Sequence, residues 1–305
     1  MRQVVSGLML GCGVLGGCGY AAGPGEGKTR DSGSIEAQAI SAGSAFTCAL
    51  LASGEVRCWG SNNRDGQLDP PAGPFTQLAF DGDHGCALRA AGTLACWGDN
   101  LAGKLDPPAG EVFTQIGAGP YHKCGLRPDG SVTCWGYVAD AQLEVPSGSG
   151  FTALAVGQSL SCVLDASGAP TCWGERLGEP IPWPSGEIYT QVAAGSYHAC
   201  GLLADGRASC FGDNEHGQLD APSTSFTALA AGYGFSCGLL ADGDVECWGE
   251  RPKNVNFEQV FVPMESVADA ELTSIAAGAF HACGIDAAGK VTCWGDDMYG
   301  QIDVP

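Results

Sequence analysis

The chain has 305 residues and a net charge of −20, with 14 Lys and Arg against 34 Asp and Glu. Its 48 Gly and 17 Pro follow no three-residue period and 45% of its residues are hydrophobic, which excludes a collagen-like or disordered chain and calls for a buried core. So acidic a surface gains no counterion release from a phosphate backbone, which argues against nucleic acid as a partner, and 16 cysteines point to an oxidising compartment.

Met1-Arg2-Gln3 followed by the apolar, small-residue stretch Val4 to Gly17 reads as an export signal over residues 1–17. It is too short for a stable bilayer anchor, which takes about 20 apolar residues. Leu15-Gly16-Gly17-Cys18 matches a lipobox, so lipid is expected on Cys18, making the chain a membrane-anchored lipoprotein of the outer membrane or cell surface. Cys12, after Met9-Leu10-Gly11, is a poorer match for the modified residue; an ordinary cleaved signal, giving a periplasmic or secreted protein, is the alternative. Residues 18–36 are rich in Gly, Ser and charge and read as a flexible tether. Within it, Ala22 to Thr29 satisfies a relaxed nucleotide-loop pattern around Lys28, but neither strand nor helix is expected beside it, so no nucleotide site is assigned.

From residue 37 to 305 the sequence repeats. The cysteines expose the period: Cys48/Cys58, Cys86/Cys96, Cys124/Cys134, Cys162/Cys172, Cys200/Cys210, Cys237/Cys247 and Cys283/Cys293, each pair ten positions apart, most repeats starting 38 residues after the last. Each unit reads as three strands, illustrated by F-T-Q-I-G-A, His122 to Leu126 and V-T-C-W. Gly54, Gly92, Gly130, Gly168, Gly206, Gly243 and Gly289 each end a three-residue turn between the second and third strands, where a left-handed residue favours glycine. That turn sets the two cysteines of a pair directly opposite each other, at a spacing of roughly 4.5 to 5.5 Å that a disulfide tolerates, so seven disulfides within units are expected. A spacing of C-x9-C fits no zinc site.

Alternation puts His122, Cys124 and Leu126 on one face of the unit and Trp135 on the other, so each sheet must be sandwiched between neighbours. Neither end of the array is a polar cap, which favours a closed ring over an open row. The expected fold is all-β, a seven-bladed β-propeller with short, three-stranded blades. The repeated pattern A-G-x-x-H-x-C-x-L-x-x-D-G-x-V-x-C-W-G-x-N-x-x-G-Q-L resembles the repeat of the regulator of chromosome condensation family, and its brevity is similar to the compact bacterial subgroup that includes a propeller-type β-lactamase inhibitory protein. The resemblance implies a rigid disc that binds macromolecules; it does not fix the partner.

No catalytic motif occurs in the repeats, so no catalytic residue, cofactor or metal is assigned and the chain is read as a non-enzyme. His84, His122, His198 and His281 share one repeat position that Phe46, Leu160 and Phe235 fill elsewhere, which argues for packing or loop bracing rather than metal binding. The acidic loops, such as Asp99-Asn100 with Asp106, are read as turn braces rather than calcium sites. Equivalent loops emerge on one rim, so Tyr121, Tyr197, Tyr233 and Phe280 are candidates for an aromatic binding surface near the axis, set against packing between blades. The atypical loop after the fourth unit adds Trp183, and the sixth unit carries an insertion of about eight residues within Arg251 to Glu271. The function expected is a monomeric protein-interaction module at the cell envelope; the alternatives are inhibition of a secreted or periplasmic enzyme such as a β-lactamase, and glycan binding.

Overall fold

The computed structural model describes residues 30–305 except 62, 138–141, 177–178, 181–185 and 256–257. Seven antiparallel units follow one another, each with an inner, a middle and an outer strand. The third shows the plan, with Gln115–Ala118 inside, His122–Leu126 in the middle and Val132–Gly136 outside. The three-residue turns behave as expected: the Gly54 amide donates to the Leu51 carbonyl, and all seven turn glycines have φ between 77° and 93°. This turn fixes Cys124 opposite Cys134, and the same register holds in every blade.

Each of the seven expected disulfides is present: Cys48–Cys58, Cys86–Cys96, Cys124–Cys134, Cys162–Cys172, Cys200–Cys210, Cys237–Cys247 and Cys283–Cys293. Their Cα separations of 4.0–4.1 Å correct the 4.5 to 5.5 Å expected of an unbridged pair, since the bond draws the two strands together. The sandwich expected of each sheet is also uneven. The middle-strand cysteine of every pair is buried, but its outer-strand partner, Cys58, Cys96, Cys134, Cys172, Cys210 or Cys247, is only half-buried, because at that level the outer strand is the edge of the sheet. Cys293 is the exception and is fully buried, its outer strand being covered by a further strand that pairs Arg30 with Cys293.

Alternation then builds the core between blades. Cys86 and Leu88 of blade 2 pack on Phe113, Ile116 and Trp135 of blade 3, and the same two faces meet at each junction around the ring. The last junction closes the circle: Cys283, Ile285 and Cys293 of blade 7 cluster with Ala37, Ala49 and Trp59 of blade 1. The tether expected through residue 36 ends sooner than that. The first strand already begins at Arg30; Arg30, Asp31 and Glu36 pair with the outer strand of blade 7, and residues 37–42 then form the inner strand of blade 1. Ile35, placed in the tether by its polar neighbours, is 3% exposed in the closing core, so the propeller starts near residue 30 rather than 37. Residues 1–29, with the signal, Cys12, Cys18 and Lys28, lie outside the described residues.

Besides blade 7, whose outer strand is covered by residues 30–36, two blades depart from three strands. Blade 4 adds Glu179–Pro180 to its outer strand, and the sixth-unit insertion extends the outer strand to Val245–Val255, which pairs with Glu258–Pro263 as a long hairpin.

Candidate interaction rim

The glycine that follows each inner strand is where blades touch most closely. The Ala279 amide donates to the Gly43 carbonyl, Ser44 to Gly82, Gln158 to Gly195 and Ser196 to Gly232, an annulus of backbone bonds around the axis that crosses the closure between blades 7 and 1. A Cβ at Gly157 would lie 2.0 Å from the Gly195 carbonyl oxygen, and one at Gly195 would lie 2.4 Å from that of Gly232, so only glycine permits the approach. A second belt, missed from sequence, lies nearer the turn rim. The Gln77 side-chain amide donates to the Ile116 carbonyl and accepts from its amide, each at 3.0 Å, and Gln115 with Leu154 and Gln191 with Leu229 repeat the arrangement. The signal was a glutamine at one repeat position in three units.

The histidine position also has a rule that sequence reading did not extract. His122, His198 and His281 place Nε2 at 2.7–2.8 Å from the hydroxyls of Ser161, Ser236 and Thr47, each in the next blade and directly after the residue equivalent to the histidine. Thr47 donates its proton to the Gln301 carbonyl at 3.0 Å, so His281 Nε2–H is the donor and Nδ1 carries no proton. Burial without an acceptor at Nδ1 holds all three imidazoles neutral, His122 and His281 pushed down to about 3 and His198 to about 4. The expectation of a bracing role is met by an inter-blade hydrogen bond.

The junction between blades 2 and 3 breaks the rule, because Lys123 stands where the hydroxyl should be. His84 is fully buried with neither ring nitrogen hydrogen-bonded, and Lys123 is 1% exposed with no hydrogen-bond partner for Nζ. Burial, then repulsion from Lys104, pushes the Lys123 ammonium down to about 7. Burial pushes Asp81, at the end of the inner strand of blade 2, up to about 7 against the opposing effects of its Gly82 amide bond and of Lys123.

The loops between inner and middle strands, the ends of the outer strands and the loops that follow them share one rim. Of the nine exposed large apolar side chains among the described residues, seven are on this side: Leu101, Tyr121, Tyr137, Val260, Phe261, Met298 and Tyr299. Val112 and Ile188 instead lie against the turn glycines Gly92 and Gly168 on the opposite rim. Three of the expected aromatics form a continuous arc around the axis, Tyr197 against Tyr233 at 6.2 Å and Tyr233 against Phe280 at 6.1 Å, with Gln158 donating to the Tyr197 hydroxyl at 2.6 Å. Tyr121 stands apart, 45% exposed and 6.3 Å from Tyr137. The arc rings are half-buried, so packing between blades and exposure at the rim both apply to them. Trp183 lies outside the described residues. The sixth-blade hairpin rises from this rim with Phe261 stacked on His216 at 3.8 Å.

Inside the arc lies a cavity of about 230 Å³ on the axis, walled by inner strands and lined among others by Asp81, Tyr121, Gln158, Ser196, Tyr233 and Phe280. The acidic loops around the rim use their side chains internally: Asn100 accepts from the Leu105 amide and reaches Asp106, and Asn214 does the same with Leu219 and Asp220. Their terminal strap also ties blades together, since the indole N–H of Trp97, Trp135 and Trp248 donates to the carbonyls of Gln67, Lys104 and Gln218 in the loop of the preceding blade. Among the described residues no group of three or more His, Cys, Asp or Glu side chains is arranged to hold a metal ion.

Residues 37–67, 189–218, 226–254 and 272–301 match the regulator of chromosome condensation (RCC1) repeat. The solved structures similar to the chain include the CRINKLY WD40 ectodomain of the Arabidopsis thaliana receptor kinase ACR4, 26% identical with a TM-score of 0.69 over 87% of this chain and 98% of that one. The ectodomain of the Physcomitrella patens receptor kinase CR4 is also 26% identical, with a TM-score of 0.68 over 84% and 72% of the two chains. Prp20p from Saccharomyces cerevisiae, studied together with its binding to Gsp1p and histones, shares the fold at 17% identity and a TM-score of 0.64 over 84% and 81%. No curated protein matches the chain significantly. Blade register and neighbours together make the chain a β-propeller, four segments of which match the RCC1 repeat.

Proposed function

We propose that the chain is an exported, non-catalytic interaction module that binds a protein partner through its loop rim. The observation that carries this reading is the segregation of exposed apolar side chains to one rim of a disc that otherwise repeats itself. Rings such as Tyr121, Tyr137 and Tyr299 are the anchors on which protein interfaces concentrate their energy, and the acidic loops among them favour a cationic partner surface. Seven disulfides support folding in an oxidising compartment, and two neighbours of the fold are receptor ectodomains. Another propeller of the same fold, Prp20p, binds Gsp1p and histones. In this reading Cys18 carries the lipid that holds the disc at the envelope, and inhibition of an extracytoplasmic enzyme is one form the binding takes.

The test is affinity capture from envelope extract with the oxidised propeller, alongside a rim variant, Tyr121→Ala with Tyr137→Ala and Tyr299→Ala, and a turn-rim variant, Val112→Ala with Ile188→Ala. One stoichiometric protein retained by the turn-rim variant and lost by the rim variant is the expected result. Equal capture by both variants would refute the rim as the interface. Metabolic labelling with a fatty acid, lost on Cys18→Ser, is the expected result for the anchor.

A further inference from the structure

The axial cavity at the loop rim has a composition unlike a water-filled channel. Asp81 is the only charged residue among those lining it; the other polar lining side chains are Ser44, Gln158, Ser196 and the tyrosines, and the mouth carries Tyr121, Tyr233 and Phe280. In the order of blades, Asp81 on blade 2 faces the aromatic arc of blades 5, 6 and 7 across the axis. A volume of about 230 Å³ is below the roughly 300–1,000 Å³ of sites for drug-sized ligands, and suits a single inserted side chain. Aromatic rings around a carboxylate form the chemistry that holds an organic cation, the rings through their negative faces and the carboxylate as counter-charge.

Lys123 attracts the Asp81 carboxylate, but none of the charged side chains that face it takes up a carboxylate oxygen by a hydrogen bond. Lys123, from the middle strand of blade 3, is buried and makes no hydrogen bond through Nζ; His84, paired with Asp81 across its own sheet, is held neutral; Asp83, in the adjoining loop, adds a second negative charge. One Asp81 oxygen accepts from the Gly82 amide at 2.6 Å.

We infer that the loop-rim mouth of the axial cavity receives one cationic side chain, Lys or Arg, of the partner protein, held between the Asp81 carboxylate and the rings of Tyr121, Tyr233 and Phe280. This deepens the interaction-module reading and rests on it. Because burial holds Asp81 near pH 7, the carboxylate must ionise to engage a cation, so binding strengthens as pH rises through about 7 and fades below it.

The probes are N-acetyl-arginine amide and its uncharged isostere N-acetyl-citrulline amide, titrated into the oxidised protein by calorimetry and by shifts of aromatic ring resonances. At pH 8 the arginine probe is expected to bind at least about tenfold more tightly than citrulline, and to weaken by about tenfold at pH 6 as Asp81 takes up its proton. Asp81→Asn is expected to abolish the preference, and Tyr233→Leu to weaken the arginine probe about threefold or more. If Asp81→Asn does not fold, the pH series and Tyr233→Leu decide alone. Equal affinity for the two probes, no saturable arginine binding, or a preference unchanged between pH 6 and 8 overturns the cation site. Partner capture that survives Asp81→Asn but is lost in the rim variant overturns it too, while leaving the rim reading standing; capture lost with Asp81→Asn supports it.

Discussion

Replacing His198 by Phe together with Ser236 by Ala should convert one histidine junction into the apolar kind that the ring already contains. Where the shared position holds Phe46, Leu160 or Phe235, the residue opposite it in the next blade is Gly85, Ala199 or Ala282; where it holds His122, His198 or His281, that residue is Ser or Thr. The double variant is therefore expected to fold, and what it loses is a proton linkage. His198 sits near 4 in the folded state because burial penalises the imidazolium, against about 6.5 when unfolded. A base whose pKa is lowered on folding contributes stability above its unfolded pKa and loses it as pH falls toward the folded value. For His198 that loss is about 2 kcal/mol between pH 7 and pH 5, and about 3 kcal/mol once pH is well below 4. The four buried histidines together lose about 8 kcal/mol over the same two pH units, and Asp81, whose raised pKa works in the opposite sense, returns about 2. Denaturant unfolding at pH 7 and pH 5, with the disulfides intact, measures the difference. The double variant should lose about 2 kcal/mol less than wild type on acidification. An identical loss in the two proteins would refute the buried-neutral assignment of His198.

Other consequences are equally specific. Gly195→Ala drives a Cβ to 2.4 Å from both the Gly232 carbonyl oxygen and the His198 ring, and should cost about 1–3 kcal/mol in denaturant unfolding; a cost below about 0.5 kcal/mol would show that the annulus yields easily. Trp248→Phe loses a 2.9 Å bond to the Gln218 carbonyl, whereas the Trp294 indole N–H has no hydrogen-bond partner because the sixth-blade hairpin replaces the usual strap. Trp248→Phe is therefore expected to cost about 1 kcal/mol more than Trp294→Phe, a difference that thermal unfolding would reveal and whose absence would count against the strap. Removing one disulfide as Cys124→Ala with Cys134→Ala opens no long loop, so the loss should stay under about 3 kcal/mol and leave the other six bridges formed, as counted by mass spectrometry after alkylation.

Much of this architecture was legible because one short unit is copied with fixed spacing. The ten-residue cysteine separation and the glycine at the turn determine the hairpin register, and the alternation of Cys124 and Leu126 against Trp135 determines which faces must be covered. The start of the ring was not legible. Residues 30–36 have the composition of a linker, and only their pairing with the last outer strand, 260 residues away in the chain, makes a strand of them. Ring closure supplies the partner that local composition hides.

The site was half legible. Tyr121, Tyr197, Tyr233 and Phe280 could be placed on one rim by repeat position, but that Tyr197, Tyr233 and Phe280 stack into an arc depends on blade curvature that no period encodes. Asp81 escaped notice because it ends an inner strand, where most blades have a small residue, and its importance comes from the cavity it lines. The pairing of His with Ser or Thr across blades was present in the sequence as matched variation between neighbouring units, and is visible only when each unit is read against the next rather than against the consensus.

The most direct test of the rim as the working surface is the hydrogen-exchange footprint of the captured partner on the oxidised propeller. Protection confined to the loops around residues 118–122, 194–198, 231–235 and 277–281, with no change at the turns around Gly54, Gly130 and Gly206, is the expected result. Protection at those turns, with the aromatic rim exchanging as in the free protein, would contradict it.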